Sequence, residues 1–156
     1  MKVKLLVVDK TDDKELIPLI DRYSNRIKHY LPFELTVIPK PKNAANLPLE
    51  KLKEMEGLSI LKSIENSDYV IVLDELGEEF SSKEFALLLN KRLLAGTCQI
   101  LFIIGGAFGF SNAVYQRADL KMALSKMTFT HQLIRVLFVE QLYRACSINK
   151  GEKYHH

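Results

Sequence analysis

The stretch from Ile103 to Ser111, IIGGAFGFS, ends an apolar run in Gly105 and Gly106, adds Gly109, and then presents a serine suited to starting a helix. Bare backbone between a strand and a helix is what cradles a phosphate or lets a flat ligand come close. No Gly-Lys-Ser/Thr follows, and the spacing is not Gly-x-Gly-x-x-Gly, so a nucleotide loop and a plain tight turn both fit. Asp74-Glu75 and Glu78-Glu79 follow the apolar run taken as the central strand. They carry the oxygens a magnesium-assisted phosphoryl transfer would need, although a solvated acidic loop is the simpler reading. His131 heads the last helical pattern, where an imidazole caps, packs or acts as a base, and a structural role is the commoner one. That helix keeps Arg135, Glu140, Gln141, Tyr143 and Arg144 among its apolar residues. Polar groups beside a buried face need partners, so they line an interface or a site. Tyr154, His155 and His156 close the chain with one ring and two imidazoles. Lys40 and Lys42 sit in a polar connection as candidate phosphate contacts, with ordinary solvation as the default.

The elements that must position these groups alternate along the chain. Residues 2–8 form a β-rich run. Apolar residues at Leu16, Ile20, Tyr23, Ile27 and Tyr30 predict a helix with one buried stripe. Asp12 and Glu15 have capping-box spacing at its start, and Pro18 is expected to kink or delay it. The run 33–39 alternates and ends in proline, a second strand. The stretch 40–48 is a polar loop, and a helix follows with proline near its first position and Gly57 as a weak point. The run 68–74 has the continuous apolar character of a strand buried on both faces. Ser81 and Glu84 predict a capped helix that buries Phe85, Leu88 and Leu89 and stops at Gly96. Another apolar strand, 99–104, leads into the glycines. Ser111 is expected to cap a short helix reaching about Ala118, and a short strand beginning near Leu120 enters a loop. A long helix from His131 then turns Ile134, Leu137, Phe138, Leu142 and Ala145 inward. This order predicts an α/β fold, a mostly parallel sheet with helices on both faces. Ligands of such sheets bind beyond the carboxyl ends of the strands, which nominates the loops after Leu73, Ile104 and Ser125.

At 156 residues, with 47% hydrophobic and 26% charged, the chain fits one domain spanning 1–156 with a sizeable core. No apolar run is long enough to span a membrane. The N-terminus reads as a strand rather than a signal peptide, giving a cytoplasmic expectation. Cys98 and Cys146 lack metal-ligand spacing and a Cys–His context, and are expected to be buried free thiols. No Gly-x-Ser-x-Gly or His-Glu-x-x-His is present. The net charge of +3 is uneven, since residues 105–156 carry seven Lys/Arg against three acids. That third could face a polyanion, although solvated surface explains it as well.

Several segments together resemble the ribosomal RNA large subunit methyltransferase H family, pseudouridine N3-methyltransferases of the SPOUT class. They are LLVVDK at 5–10, PFELTVIP at 32–39, VIVLDELG at 70–77 and FIIGGAFG at 102–109. The C-terminal third adds SKMTF at 125–129, His131-Gln132, Ile134-Arg135-Val136, EQLYRA at 140–145, Gly151-Glu152 and Tyr154-His155. Departures are Ala107 and Phe110, where proline or serine and leucine are usual. Thr130 stands in place of a common proline, which is expected to loosen that turn, and His156 stands where lysine or arginine often ends the chain.

The resemblance implies a C-terminal trefoil knot that binds S-adenosylmethionine, with contacts at Leu73, Gly105, Leu124, Ser125, Lys126, Met127, Thr128 and Phe129. It further implies a homodimer with sites near the subunit interface, no metal, and a pseudouridine substrate in a stem-loop of large-subunit ribosomal RNA within assembled ribosomes. Removal of the N3 proton is expected to involve Arg144, Tyr154 and His155, with Arg135 and His131 behind them. The rival reading is a nucleotide-binding regulatory or phosphoryl-transfer module built on Gly105–Gly109 and Asp74. A ribosome-binding factor without chemistry is a third.

Overall fold

A computed structural model describes residues 1–153, so Tyr154, His155 and His156 lie outside the described residues. Five strands form one sheet: β1 (Lys2–Val8), β2 (Phe33–Ile38), β3 (Tyr69–Glu79), β4 (Gln99–Ile104) and β5 (Leu120–Ala123). Their order is β2-β1-β4-β3-β5, and every pairing is parallel. The strand at the centre is therefore β4, not the run at 68–74 expected there. Four α-helices connect successive strands, α1 (Ile17–Ile27), α2 (Leu49–Leu61), α3 (Ser82–Leu94) and α4 (Asn112–Arg117), and α5 (Leu133–Asn149) follows β5.

Strand side chains alternate between the two faces of a sheet, and the two cores follow that period of two. On one face Val3, Leu5, Val7, Ile100, Phe102 and Ile104 pack under α1, α3 and α5. Phe102 meets Phe138 of α5 with ring centroids 4.7 Å apart. On the other face Leu6, Val8, Leu101 and Ile103 meet Ile60 of α2 and Val114 of α4. A strand covered on both faces has no polar side to show, which is why β4 reads as an unbroken apolar run.

The helix ends divide the sequence expectations. The Ser81–Glu84 capping box of α3 forms in both directions, and Gly96 takes a left-handed φ of +75° beyond its end. Leu88 is only half-buried, beside the buried Phe85 and Leu89. The Asp12–Glu15 box does not form. α1 begins later, at Ile17, with Pro18 in its first turn where the missing N–H costs nothing. The amides of Asp12 and Asp13 instead donate to Gln132 Oε1, both at 3.0 Å. Ser111 occupies the cap position of α4 without a side-chain cap bond. Thr130 secures the start of α5, because its hydroxyl accepts the Leu133 amide at 3.2 Å. Cys146 is buried but Cys98 is exposed, because it sits in the turn before β4 rather than inside the strand.

β3 continues well past the apolar run that marked it. Its ladder with β5 shifts register between Leu73 and Glu78, so the acids 74–75 and 78–79 belong to an irregular strand rather than to a loop after it. Gly77 lets this segment lie against β5, since a Cβ there would come 2.6–2.8 Å from backbone atoms of Lys121 and Met122.

Candidate functional site

All five strands point the same way, so their carboxyl ends share one edge. A cavity of about 380 Å³ opens there, between the ends of β3, β4 and β5. Leu73 and Asp74 form one wall from β3, and Gly105 and Gly106 form a second at the end of β4. Leu124, Ser125, Met127, Thr128 and Phe129 supply the third from the loop after β5. The start of α5 contributes His131 and Ile134. Seven of the eight expected contact residues thus meet in one place. Lys126 does not line the cavity: its side chain is 87% exposed and its ammonium lies 3.7 Å from Glu79.

Each glycine of the loop has its own physical reason. Gly109 adopts φ +81°, the left-handed region that glycine enters without penalty. A Cβ on Gly105 would meet the Phe110 ring at 3.0–3.3 Å, and one on Gly106 would meet the Glu56 carboxylate at 2.7–2.8 Å. Close approach is therefore required, but part of it is to the chain's own side chains. The loop after β5 is braced locally by Ser125 Oγ, which accepts the Met127 amide at 2.9 Å.

Asp74 is committed within the chain. One oxygen accepts the Leu76 amide at 2.8 Å, and the other accepts the Tyr115 hydroxyl. Burial and that bond push the Tyr115 phenol up to about 12, and the Lys121 ammonium lies 4.3 Å from its ring centroid. Among the described residues, no group of three or more His, Cys, Asp or Glu is placed to hold a metal ion. Tyr115 and Glu56 were not singled out by sequence pattern. Only the positions of α4 and α2 over the sheet bring them here.

The proton-handling candidates separate. His131 faces the cavity, and burial, with the charges of Arg135 and Lys40, lowers its pKa, so the imidazole is neutral near pH 7. Arg135 is fully buried and donates to the Val8 carbonyl and the Thr11 hydroxyl, both at 2.8 Å. It ties α5 to the end of β1. Arg144 pairs with Glu140 at 2.6 Å. It stands ten residues beyond Ile134 on α5, about 15 Å along the helix axis, and does not line this cavity. The candidates Tyr154 and His155, and His156 beside them, lie outside the described residues.

Leu73, Leu124, Met127 and Phe129 offer the cavity apolar surface, Gly105, Gly106 and Gly109 leave backbone without side chains, and Asp74 and Glu75 add carboxyl groups to its lining.

A family model described as "Predicted SPOUT methyltransferase" matches residues 1–155. The chain is 50% identical to "Ribosomal RNA large subunit methyltransferase H" of Christiangramia forsetii, covering 100% of this chain and 99% of that one. It is 49% identical to the protein of the same name from Cytophaga hutchinsonii, covering 100% of both. Among solved structures, a probable methyltransferase from Bordetella pertussis superposes with a TM-score of 0.56 at 14% identity, covering 93% of this chain and 96% of that one. The SpoU methyltransferase AviRb from Streptomyces viridochromogenes, solved with AdoMet, superposes with a TM-score of 0.50 at 14% identity, covering 97% and 59%. These two likenesses concern the fold.

Proposed function

Because this chain belongs to the SPOUT methyltransferase family, and within it to the ribosomal RNA large subunit methyltransferase H proteins, we propose that it transfers a methyl group from S-adenosylmethionine to N3 of a pseudouridine in large-subunit ribosomal RNA. The observation that carries this reading is the convergence of Leu73, Gly105 and five residues of 124–129 on one cavity at the carboxyl edge. The knotted threading of the C-terminal segment goes with the same reading. Its support is that the loops after β4 and β5 wall one cavity before α5 begins.

When bound, S-adenosylmethionine supplies an electrophilic methyl carbon without a metal. The protein's tasks are to hold the donor, present N3 in line with it and accept the N3 proton, and positioning contributes much of the barrier reduction. The apolar walls suit the purine, and Asp74 and Glu75 in the lining suit the donor's positive charge. Arg144, Tyr154 and His155 favour the N3 anion or take its proton in this proposal, with His131 behind them, a role supported by its neutral imidazole facing the cavity. Arg144 is remote from the cavity of its own chain, so the homodimer belongs to the proposal, with α5 supplying the contact that brings a second copy's helix to the site. A ribosomal substrate goes with a cytoplasmic location. Among the described residues no helix is long and apolar enough to cross a membrane.

Methyl transfer from labelled donor to ribosomes lacking the modification tests the function. We expect label in large-subunit RNA at one pseudouridine, and much slower transfer to the same RNA stripped of protein. Absence of transfer to ribosomes, or binding of ATP with magnesium in place of S-adenosylmethionine, overturns the reading.

A further inference from the structure

Glu56 stands in the middle of α2 and is only 7% exposed. A carboxylate removed from water destabilises a fold unless hydrogen bonds and charges meet it. What meets this one is the glycine loop. Gly106 packs against the carboxylate, since a Cβ there would lie 2.7–2.8 Å from its two oxygens, and its amide favours the ionised form. The charged groups facing it are Lys40, from the connection after β2, and Asp9, from the end of β1. Those two also pair with each other, at 3.6 Å. The next residue of α2 makes room for the other end of the same loop. A Cβ on Gly57 would come 2.2 Å from Ser111 Oγ and 3.5 Å from Val114. Adjacent residues of one helix thus lie against both ends of the loop that walls the donor cavity.

We propose that Glu56 is a positioning residue for donor binding: its ionised carboxylate, packed against Gly106, sets where Gly105 and Gly106 present their backbone to the cavity. This rests on the reading of that cavity as the S-adenosylmethionine site. Glu56 touches no reacting atom and acts through the loop. Three features separate this role from ordinary packing. An ionised carboxylate attracts the backbone amide beside it more strongly than a neutral acceptor would. Burial raises the Glu56 pKa, with Asp9 adding to the rise and Lys40 and the Gly106 amide opposing it. A carboxyl group raised in the folded state stabilises the fold below its unfolded pKa and loses that contribution as pH rises through the folded value. Above the Glu56 titration the charge therefore works against folding while it holds the loop.

The test is Glu56→Gln, which keeps length and an acceptor but not the charge. Donor affinity by calorimetry and thermal midpoint are read on the same samples. We expect a midpoint at pH 7.5 equal to or above the parent's, with affinity for S-adenosylmethionine reduced about tenfold, the scale set by exchanging an ionised for a neutral acceptor. Parent affinity falls as pH drops through the Glu56 titration, and the ratio of parent to variant affinity shrinks toward one. Because the donor's own titrations enter both proteins equally, that ratio isolates Glu56. Unchanged affinity in the variant overturns the proposal, and so does a fall in affinity accompanied by a lowered midpoint with the same pH profile as the parent. A parent that binds no S-adenosylmethionine defeats the reading of the cavity instead. In that case, or if Glu56→Gln does not fold, the Gly106 amide resonance of the parent decides: a shift tracking one acid titration supports the proposal, and a pH-independent resonance refutes it.

Discussion

Gly105 illustrates how one missing methyl group serves two neighbours. Its position lines the cavity, and its Cβ site faces the edge of Phe110 at 3.0–3.3 Å. The φ angle of Gly105 is not left-handed, so the requirement is space rather than backbone conformation. Gly105→Val puts a branched side chain against both the ring and the ligand space. We expect loss of about 1–3 kcal/mol of stability from overpacking, and donor affinity too weak for calorimetry at ordinary concentrations. A valine variant that binds S-adenosylmethionine like the parent would show that the donor does not lie against this residue. Asp74 carries a related lesson. Its carboxylate suggested a magnesium ligand, but both oxygens are taken, by the Leu76 amide and the Tyr115 hydroxyl.

At the scale of elements, β3 matters most to the site. Its apolar half is buried in the sheet, and its acidic half crosses the cavity edge by way of the register shift opposite β5. Gly77 makes that possible by removing the atom that would strike β5 backbone at 2.6–2.8 Å. Backbone cannot yield as the tip of a flexible side chain can, so Gly77→Ala must part the two strands. We expect a stability loss above about 2 kcal/mol, within the range of strained or overpacked substitutions. Increased amide exchange should be confined to 74–79 and 120–123. An alanine variant with the parent's melting temperature would contradict the close approach. Capping tells a parallel story in milder form. The Ser81–Glu84 box was legible because its two residues are neighbours in sequence. The expected caps at Asp12 and Ser111 do not form: the amides of Asp12 and Asp13 donate to Gln132 far along the chain, and Ser111 Oγ lies against Gly57 of α2.

For the whole molecule, the separation between cavity and Arg144 is the central geometric fact. One chain builds the cavity, and the polar half of α5 lies about three turns further on. The proposed homodimer would reconcile them by bringing a second copy's α5 to the cavity. Deleting Tyr154–His156 is therefore expected to abolish methyl transfer to ribosomes while S-adenosylmethionine still binds with the parent's affinity. Normal turnover after the deletion would remove the tail from the mechanism. Loss of donor binding would place it in the pocket instead. The basic excess of residues 105–156 fits phosphate contacts that position the protein on a surface whose shape the ribosome supplies.

What the sequence by itself determined is what short-range pattern can carry. Apolar runs marked the strands, alternation with helical stripes implied a parallel sheet, and parallel strands put three loops on one edge. The motifs of 70–77, 102–109 and 125–155 added the family and, with it, the expected donor contacts. The tertiary structure alone decided which side chains meet across that edge. Glu56 reaches Gly106, Gly57 makes room for Ser111, Tyr115 reaches Asp74, and Lys126 turns away to Glu79. The physical reason is that periodicity reports which face of an element is buried, whereas these contacts depend on how two helices lie over the sheet, and their partners stand about 40 to 55 residues apart in the chain.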